Sequence, residues 1–401
     1  MTKRAHGEGS IDTRAEDTHR LRYRVGGKRF TKTVQGTLAD ARKELRRLVR
    51  SGDTGEHVAP DRVTLKEWVD QWIALLERPS DNGERRRGLV NARTLERYAE
   101  LLRGHVVPTL GHRPLQQIQP TEIDKLYVKL EKSLAVRTVH HVHVVLNSCL
   151  KAAVRKRALS SNPAESAEAP VVGGETCGRV LDDDELKTLL GGFRPSSLFP
   201  IVATAAFTGA RRNEILALRW CDLDVTAKTL RIARAVEQTK KFGVHFKEPK
   251  SARHIRTITI DDELLAILTA EREKYLRLIA GVPQGAPVDL SMIRLPDDAL
   301  IFPSPPAGPK AALNVPRQPR GFTKGFIRRA ASLGFPGLRL HDLRGTHETL
   351  LLDRGVPVHV VAARCGHDPA VLLRIYAQRT RKADTSAAAV IGVLSKAMLA
   401  R

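Results

Sequence analysis

The chain has 401 residues, with 67 Lys and Arg against 44 Asp and Glu, a formal charge of +23, and 42% apolar residues. That is a globular composition long enough for about two to four domains, and its charge points to a polyanionic partner, because each cation that neutralises a phosphate releases condensed counterions. Only 4% aromatics argues against a stacking-based single-strand binder, and four scattered cysteines without a CxxC pair exclude a zinc ribbon and a disulfide scaffold. The longest apolar stretches, near Leu198–Phe207 and Ala387–Leu394, are too short to span a bilayer, and the N-terminus has no apolar signal core. A cytoplasmic, nucleoid-associated location without membrane contact is the expectation.

Residues 1–62 predict a small basic unit. Leu21, Tyr23 and Val25 alternate with Arg20, Arg22 and Arg24, the period of a strand with one cationic face. Gly26-Gly27 signals a hairpin, and Lys28 to Val34 reads as the return strand. A helix follows, capped by Thr37 with Asp40 three residues on, and with Leu45 and Val49 apolar. An isolated hairpin of this kind reads first as a solvated basic surface. The second reading is a sheet lying on DNA, with Arg20, Arg22, Arg24, Lys28 and Arg29 as its contacts.

Residues 63–165 predict an all-helical unit. Thr64-Leu65-Lys66-Glu67 is a capping box. Helical stripes recur at Leu95, Tyr98, Leu101 and Leu102, at Ile123, Leu126, Tyr127 and Leu130, and at Val142, Val145, Leu146, Cys149 and Leu150. The middle helix is expected to be capped by Thr121 with Asp124, and Pro108 and Pro120 to punctuate between helices. Residues 166–181, rich in Ala, Gly, Pro and Glu, predict a linker. Residues 182–401 predict one larger mixed domain: helices near 184–191 and 198–218, strands near 229–238 and 254–260, a helix near 262–279, a proline-rich stretch over 281–320, and helices to the end. The fold class is therefore mainly α with small β elements (α+β).

The unusual residues concentrate in the last domain. His341 and Arg344 are three apart and share a helical face, an arrangement suited to an oxyanion or phosphate. His341 and His347 fall on different faces, and no HExxH is present, so a metal site is not expected. Gly209 breaks an apolar helix, which places Arg211 at the start of the next one, with Glu214 three residues on to orient it. Cys365-Gly366-His367 is a turn that presents one His. Tyr376 follows on an amphipathic helix, where a lone Tyr is ordinarily a packing residue.

Taken together, Thr208-Gly209-Ala210-Arg211-Arg212-Asn213-Glu214, Pro249-Lys250-Ser251, His341-Asp342-Leu343-Arg344, Gly366-His367 and Tyr376 resemble the tyrosine recombinase (phage integrase) family, in its order. The last three separations, 344 − 341 = 3, 367 − 344 = 23 and 376 − 367 = 9, fit its spacing. Gly345 and Cys365 depart from the commonest form, at positions that are not catalytic. The resemblance implies a catalytic set of Arg211, Lys250, His341, Arg344, His367 and Tyr376, with Tyr376 the nucleophile, Glu214 in support, and no metal or other cofactor. Lys250 is chosen over Lys240, Lys241 and Lys247 because Pro-Lys-Ser followed by Arg256-Thr257-Ile258 matches the family's hairpin. The resemblance also implies an arm-type DNA-binding domain over 1–62, a core-binding domain over 63–165 and a catalytic domain over 182–401. The implied reaction is integration, with excision, of a phage or mobile element through a 3′-phosphotyrosine. The implied partners are double-stranded attachment sites, three further copies in a homotetramer on DNA, an excisionase and a host DNA-bending protein. A terminal stripe of Val390, Val393, Leu394 and Met398 is expected to dock on a neighbouring subunit. Two other classes stay open at this point: a DNA-binding regulator without chemistry, and a type IB topoisomerase.

Overall fold

In the computed structural model, which describes residues 9–25, 27–53, 61–77, 90–173, 178–247, 255–305 and 312–377, the basic alternation near the N-terminus is the middle strand of a sheet. Strands β1 (Ser10–Ala15), β2 (Thr18–Val25) and β3 (Lys28–Gln35) lie in chain order, and helix α1 (Leu38–Asp53) packs on one face. Leu21 and Tyr23 are buried there against Ala41, Leu45 and Leu48. Tyr23 faces Phe30 across the hairpin, with ring centroids 5.8 Å apart. The β2–β3 register sets Arg20, Arg22 and Arg24 opposite Thr33, Thr31 and Arg29, so four arginines share the outer face. Lys28 parts from that set: its partner is Val25, on the α1 side of the sheet. Strand β1 was not foreseen, because a half-exposed edge strand with Ile11 as its one large apolar residue carries no alternation.

Helices α2 (Leu65–Glu77), α3 (Ala92–Leu101), α4 (Val107–Leu110), α5 (Pro120–Glu131) and α6 (Val136–Arg155) close around Trp68, Leu102, Ile123, Leu146 and Leu150. The capping box at the start of α2 is reciprocal: the Thr64 N–H donates to Glu67 at 2.8 Å and the Glu67 N–H to Thr64 Oγ1 at 3.3 Å. Two expectations are corrected here. Helix α5 starts earlier than expected, with Pro120 in its first turn, where a missing N–H costs nothing. Its cap is Gln119, whose N–H donates to Glu122 at 3.0 Å, while Asp124 accepts from the Glu168 N–H instead. Pro108 does not interrupt its helix either. Residues Leu102–Val106 widen into a π-helical turn between α3 and α4, and the wider turn takes up a residue that cannot donate.

The chain divides into two units, Met1–Gly174 and Glu175–Arg401. The second contains α7 (Asp183–Phe193), α8 (Phe199–Thr208), α9 (Arg212–Ile215), β4 (Leu223–Asp224), β5 (Thr229–Ile232), β6 (Ala235–Thr239), β7 (Gly243–Lys247), β8 (Arg256–Thr259), α10 (Asp262–Ala280), α11 (Pro319–Ser332), α12 (Leu340–Asp353), α13 (Val358–Cys365) and α14 (Pro369–Ala377). Helix α8 is buried from Pro200 to Ala206, and an apolar helix of that kind belongs at the centre of a core. The expected strand over 229–238 is two strands in two sheets: β5 joins β4 and β8, while β6 pairs with β7. Arg234 makes the break, donating to the Ala217 carbonyl at 2.9 Å and lying 4.2 Å over the Phe246 ring. Among the described residues no helix is long and apolar enough to cross a membrane. Lys250 and the stripe from Val390 to Met398 lie outside the described residues.

Candidate active site

Gly209 ends α8 in the left-handed region, at φ 62°. A β-carbon there would come within 2.7 Å of His347 Cδ2 and 2.9 Å of Cys365 Sγ, so glycine is required both by conformation and by space. The turn makes Arg211 the N-cap of α9. Its backbone N–H donates to Glu214 Oε2 at 2.9 Å, its Nη1 to Glu214 Oε1 at 2.9 Å, and its Nη2 to the Gly366 carbonyl at 3.1 Å.

Helix α12 brings Arg344 to the same place. Arg344 is buried, with 2% exposure. Nη1 donates to the Gly209 carbonyl and Nη2 to the Cys365 carbonyl, both at 2.6 Å. A guanidinium has five N–H groups, and with Nε donating to His367 and one N–H of each Nη donated to a carbonyl, each Nη has one further N–H. The side chain of Arg211 is 33% exposed, so Arg344 forms the floor of the cradle and Arg211 its rim.

Gly366, at φ 66°, ends α13 and turns the chain so that His367 follows directly. His367 Nε2 lies 3.1 Å from Arg344 Nε and 2.9 Å from Glu348 Oε1. One nitrogen cannot accept from the arginine and donate to the carboxylate together. The arginine decides it: Arg344 Nε donates to His367 Nε2, which leaves the ring's N–H on Nδ1, while Glu348 Oε1 lies beside both groups as an ion-pair neighbour, 3.1 Å from Arg344 Nε. Burial would raise the pKa of Glu348, but His367 and Arg344 outweigh it and lower it.

A second layer supports these groups. Glu214 accepts from Arg256 at 2.8 Å. Burial works against its charge, yet the bonds from Arg256 and Arg211 prevail and hold its pKa down to about 2. His347 donates from Nδ1 to the Ala206 carbonyl at 2.9 Å and accepts at Nε2 from Arg364 Nε at 3.2 Å. Those two bonds require the neutral Nδ1–H tautomer, and burial followed by the Arg364 charge lowers its pKa to about 4.

The other members of the sequence-derived set stand further out. His341 lies one turn before Arg344 and reaches the surface, although partial loss of solvent and then the Arg344 charge depress its pKa. Tyr376, on α14, donates from its hydroxyl to Asp353 at 2.9 Å. Burial, then Asp353, raises the phenol pKa. Asp353 is nine residues beyond Arg344 on α12, about 13 Å along the axis at 1.5 Å per residue. On the β6–β7 hairpin, Lys247 pairs with Glu237 at 2.6 Å.

The sequence pattern of the phage integrase family matches residues 179–383, and that of the phage integrase central domain matches residues 66–169. The chain belongs to the phage integrase family. As a member it is a tyrosine-type site-specific recombinase, and its α+β fold is the family's. It is 24% identical over 411 residues to an integrase of Streptomyces ambofaciens, covering 98% of each chain. Its fold matches the integrase of transposon Tn1549 in complex with a circular intermediate DNA, with a TM-score of 0.61 at 16% identity, over 82% of this chain and 99% of that one. It also matches the lambda integrase tetramer bound to a Holliday junction, with a TM-score of 0.53 at 16% identity, over 92% of this chain and 96% of that one.

In this integrase, three supporting residues escaped the sequence reading. Glu348 had a usable signal, since it lies four residues after Arg344 on the same helical face. Arg256 appeared only as a strand residue, and its partners Glu214 and Arg364 are 42 and 108 positions away. Asp353 had no signal.

Proposed function

We propose that this chain cuts and rejoins double-stranded attachment sites through a covalent Tyr376–DNA intermediate, integrating and excising a phage or mobile element. The observation that supports this most directly is the convergence of Arg211, Arg344 and His367 on one turn, Cys365–Gly366, with guanidinium donors to spare. Attack on a phosphodiester builds charge on the non-bridging oxygens, and two arginines at that point stabilise it. The Tyr376 oxygen attacks phosphorus, a Tyr–O–P bond forms, and the bond from phosphorus to the 5′ oxygen breaks. His341 is positioned to take the phenolic proton or hold the phosphate. Lys250 is assigned the proton that the leaving 5′ oxygen gains, and His367, with Nε2 accepting from Arg344 Nε, offers its Nδ1–H to a phosphate oxygen. A 5′ hydroxyl then reverses the step on the partner strand, so the number of ester bonds is conserved and no nucleotide is spent.

The four-arginine face of the N-terminal sheet fits an arm-type DNA contact over residues 1–62, with 63–165 as the core-binding domain and 182–401 as the catalytic one. Arg24 and Arg29 are directly opposed, a pairing of like charges that disfavours the isolated sheet and favours one lying on phosphates. A homotetramer on DNA is the assembly that four strand cleavages, one per tyrosine, need, and the tetrameric lambda integrase supports it. An excisionase and a host bending protein complete the proposed partners, and the nucleoid in the cytoplasm is the site of action.

The test is a suicide duplex carrying the core site, recovered from DNA flanking the coding sequence. Wild type should form a denaturation-resistant adduct without added metal or ATP, and peptide mapping should place the DNA on Tyr376. Tyr376→Phe should bind but give none. An adduct on Tyr23, Tyr98, Tyr127 or Tyr275 would overturn the assignment. Specific binding with no adduct would favour a regulator, and relaxation of plasmids lacking the site would favour a topoisomerase.

A further inference from the structure

We infer that Arg256 is a positioning residue of the phosphate cradle, locking Glu214, and through it Arg211, to the end of α13 that presents His367. The inference rests on the cleavage reading above and adds a residue to it. Arg256 opens β8 and is opposite Ile232 of β5, so its backbone is fixed by a sheet ladder. Its side chain is 7% exposed. Nη2 donates to Glu214 Oε2 at 2.8 Å, Nη1 to Glu214 Oε1 at 3.3 Å, and Nε to the Arg364 carbonyl at 2.8 Å.

Each Glu214 oxygen is thereby shared. Oε2 takes the Arg211 backbone N–H and Arg256 Nη2, and Oε1 takes Arg211 Nη1 and Arg256 Nη1. Glu214 cannot rotate without moving Arg211. On its other flank the same guanidinium lies against Gly366, where a β-carbon would come within 3.1 Å of Nη1. One planar fork therefore sets the distance between the rim arginine and the turn that both cradle arginines hold. A buried ion pair contributes little net stability, because desolvation offsets the attraction. What a rigid two-pronged fork adds is geometry, and an ammonium group cannot reproduce it.

The test uses the full-length protein and a suicide duplex whose scissile position carries either the natural phosphate or a methylphosphonate. The methylphosphonate lacks the oxygen charge that Arg211 neutralises. Single-turnover cleavage is measured at saturating protein for wild type, Arg256→Met, Arg256→Lys, Arg211→Ala and the double variant Arg211→Ala/Arg256→Met. Arg256→Met should cleave the natural phosphate on the order of 10²-fold more slowly, the loss that follows a shift of about 1 Å in a reacting group. Its affinity for the core site should be unchanged. The deficit should shrink on the methylphosphonate, as it does for Arg211→Ala, and the double variant should be no slower than Arg211→Ala alone. Arg256→Lys, which keeps the buried charge, should recover part of the rate. If Arg256→Met does not fold, the same comparison of substrates is made with Arg256→Lys. Equal slowing on both substrates, additive losses in the double variant, or no slowing would overturn the role of Arg256 while leaving a wild-type Tyr376 adduct in place. Absence of that wild-type adduct would overturn the cleavage reading, and this inference with it.

Discussion

Arg211 and Arg344 hold neighbouring carbonyls of a single turn, Arg211 the Gly366 oxygen at 3.1 Å and Arg344 the Cys365 oxygen at 2.6 Å. The two arginines come from different helices, Arg211 from the start of α9 and Arg344 from α12, so the turn is the common reference that fixes their separation. Arg344 adds a third point at the Gly209 carbonyl, which lies two residues before Arg211. The cradle is therefore rigid before any ligand arrives, as electrostatic stabilisation of a transition state requires.

The two arginines should differ when removed. Arg211→Ala and Arg344→Ala should each lose cleavage by about 3 kcal/mol or more in barrier, with core-site binding retained. Arg344→Ala also leaves the buried Gly209 and Cys365 carbonyls without donors, a further cost of about 1–3 kcal/mol per group. Its melting temperature should fall clearly, whereas that of Arg211→Ala should fall little. Calorimetry beside the suicide-substrate assay checks both, and full recombination by either variant would contradict the cradle.

Gly209→Ala should damage activity more than its size suggests. The position has φ 62°, and the new methyl would press on His347 and Cys365. Strain of about 1–3 kcal/mol is expected, and it falls on the carbonyl that Arg344 grips. Thermal unfolding and cleavage should both decline. Wild-type behaviour in both would show that the close contacts relax freely.

His347 should make the catalytic unit acid-sensitive. Its pKa is about 4 in the fold and ~6.5 in an unfolded chain. Between those values the unfolded state binds the proton and the folded state does not, so stability is complete above about pH 6.5 and declines as pH falls toward 4. The span corresponds to about 3 kcal/mol at most. Melting temperatures should drop from pH 7 to 5, and the drop should be smaller in His347→Gln. Identical pH profiles for the two proteins would rule His347 out as the source.

The cationic face of the first sheet should show itself in salt dependence. Replacing Arg20, Arg22, Arg24 and Arg29 with Gln should reduce the slope of log affinity against log salt for arm-type DNA by about 3–4. Affinity for the core site should hold, and deleting residues 1–62 should have the same selective effect. Anisotropy titrations over a range of KCl concentrations measure it. An unchanged slope would place the arm contact elsewhere.

What could be read in the sequence follows from how local the physics is. Gly209 as a breaker and Arg211 at a helix start need only a few neighbouring residues, and so does the alternation of Leu21 and Tyr23 with the arginines. Strand β1 was invisible because an edge strand need not alternate. The break at Arg234 was invisible because it depends on Ala217 and Phe246, contacts made only in the fold. The Thr121 cap was misplaced because Pro120 tolerates the first turn as readily as the position before it. The support around the arginines is non-local, so the chemistry-bearing side chains could be named from spacing while most of what holds them could not.

The bond between Tyr376 and Asp353 means that the helix carrying Arg344 near one end retains, at the other, the oxygen proposed to attack. Asp353 and a DNA phosphate are both anionic acceptors for a phenol, so substrate competes with a carboxylate for the same proton. One hydrogen bond of this kind contributes roughly 1 kcal/mol. That is a bias of about fivefold and not a lock, so a bound duplex can tip the balance. The enzyme's restraint toward DNA it merely brushes against can thus be set by one surface-reaching acid, and tuned there without touching the residues that perform the chemistry.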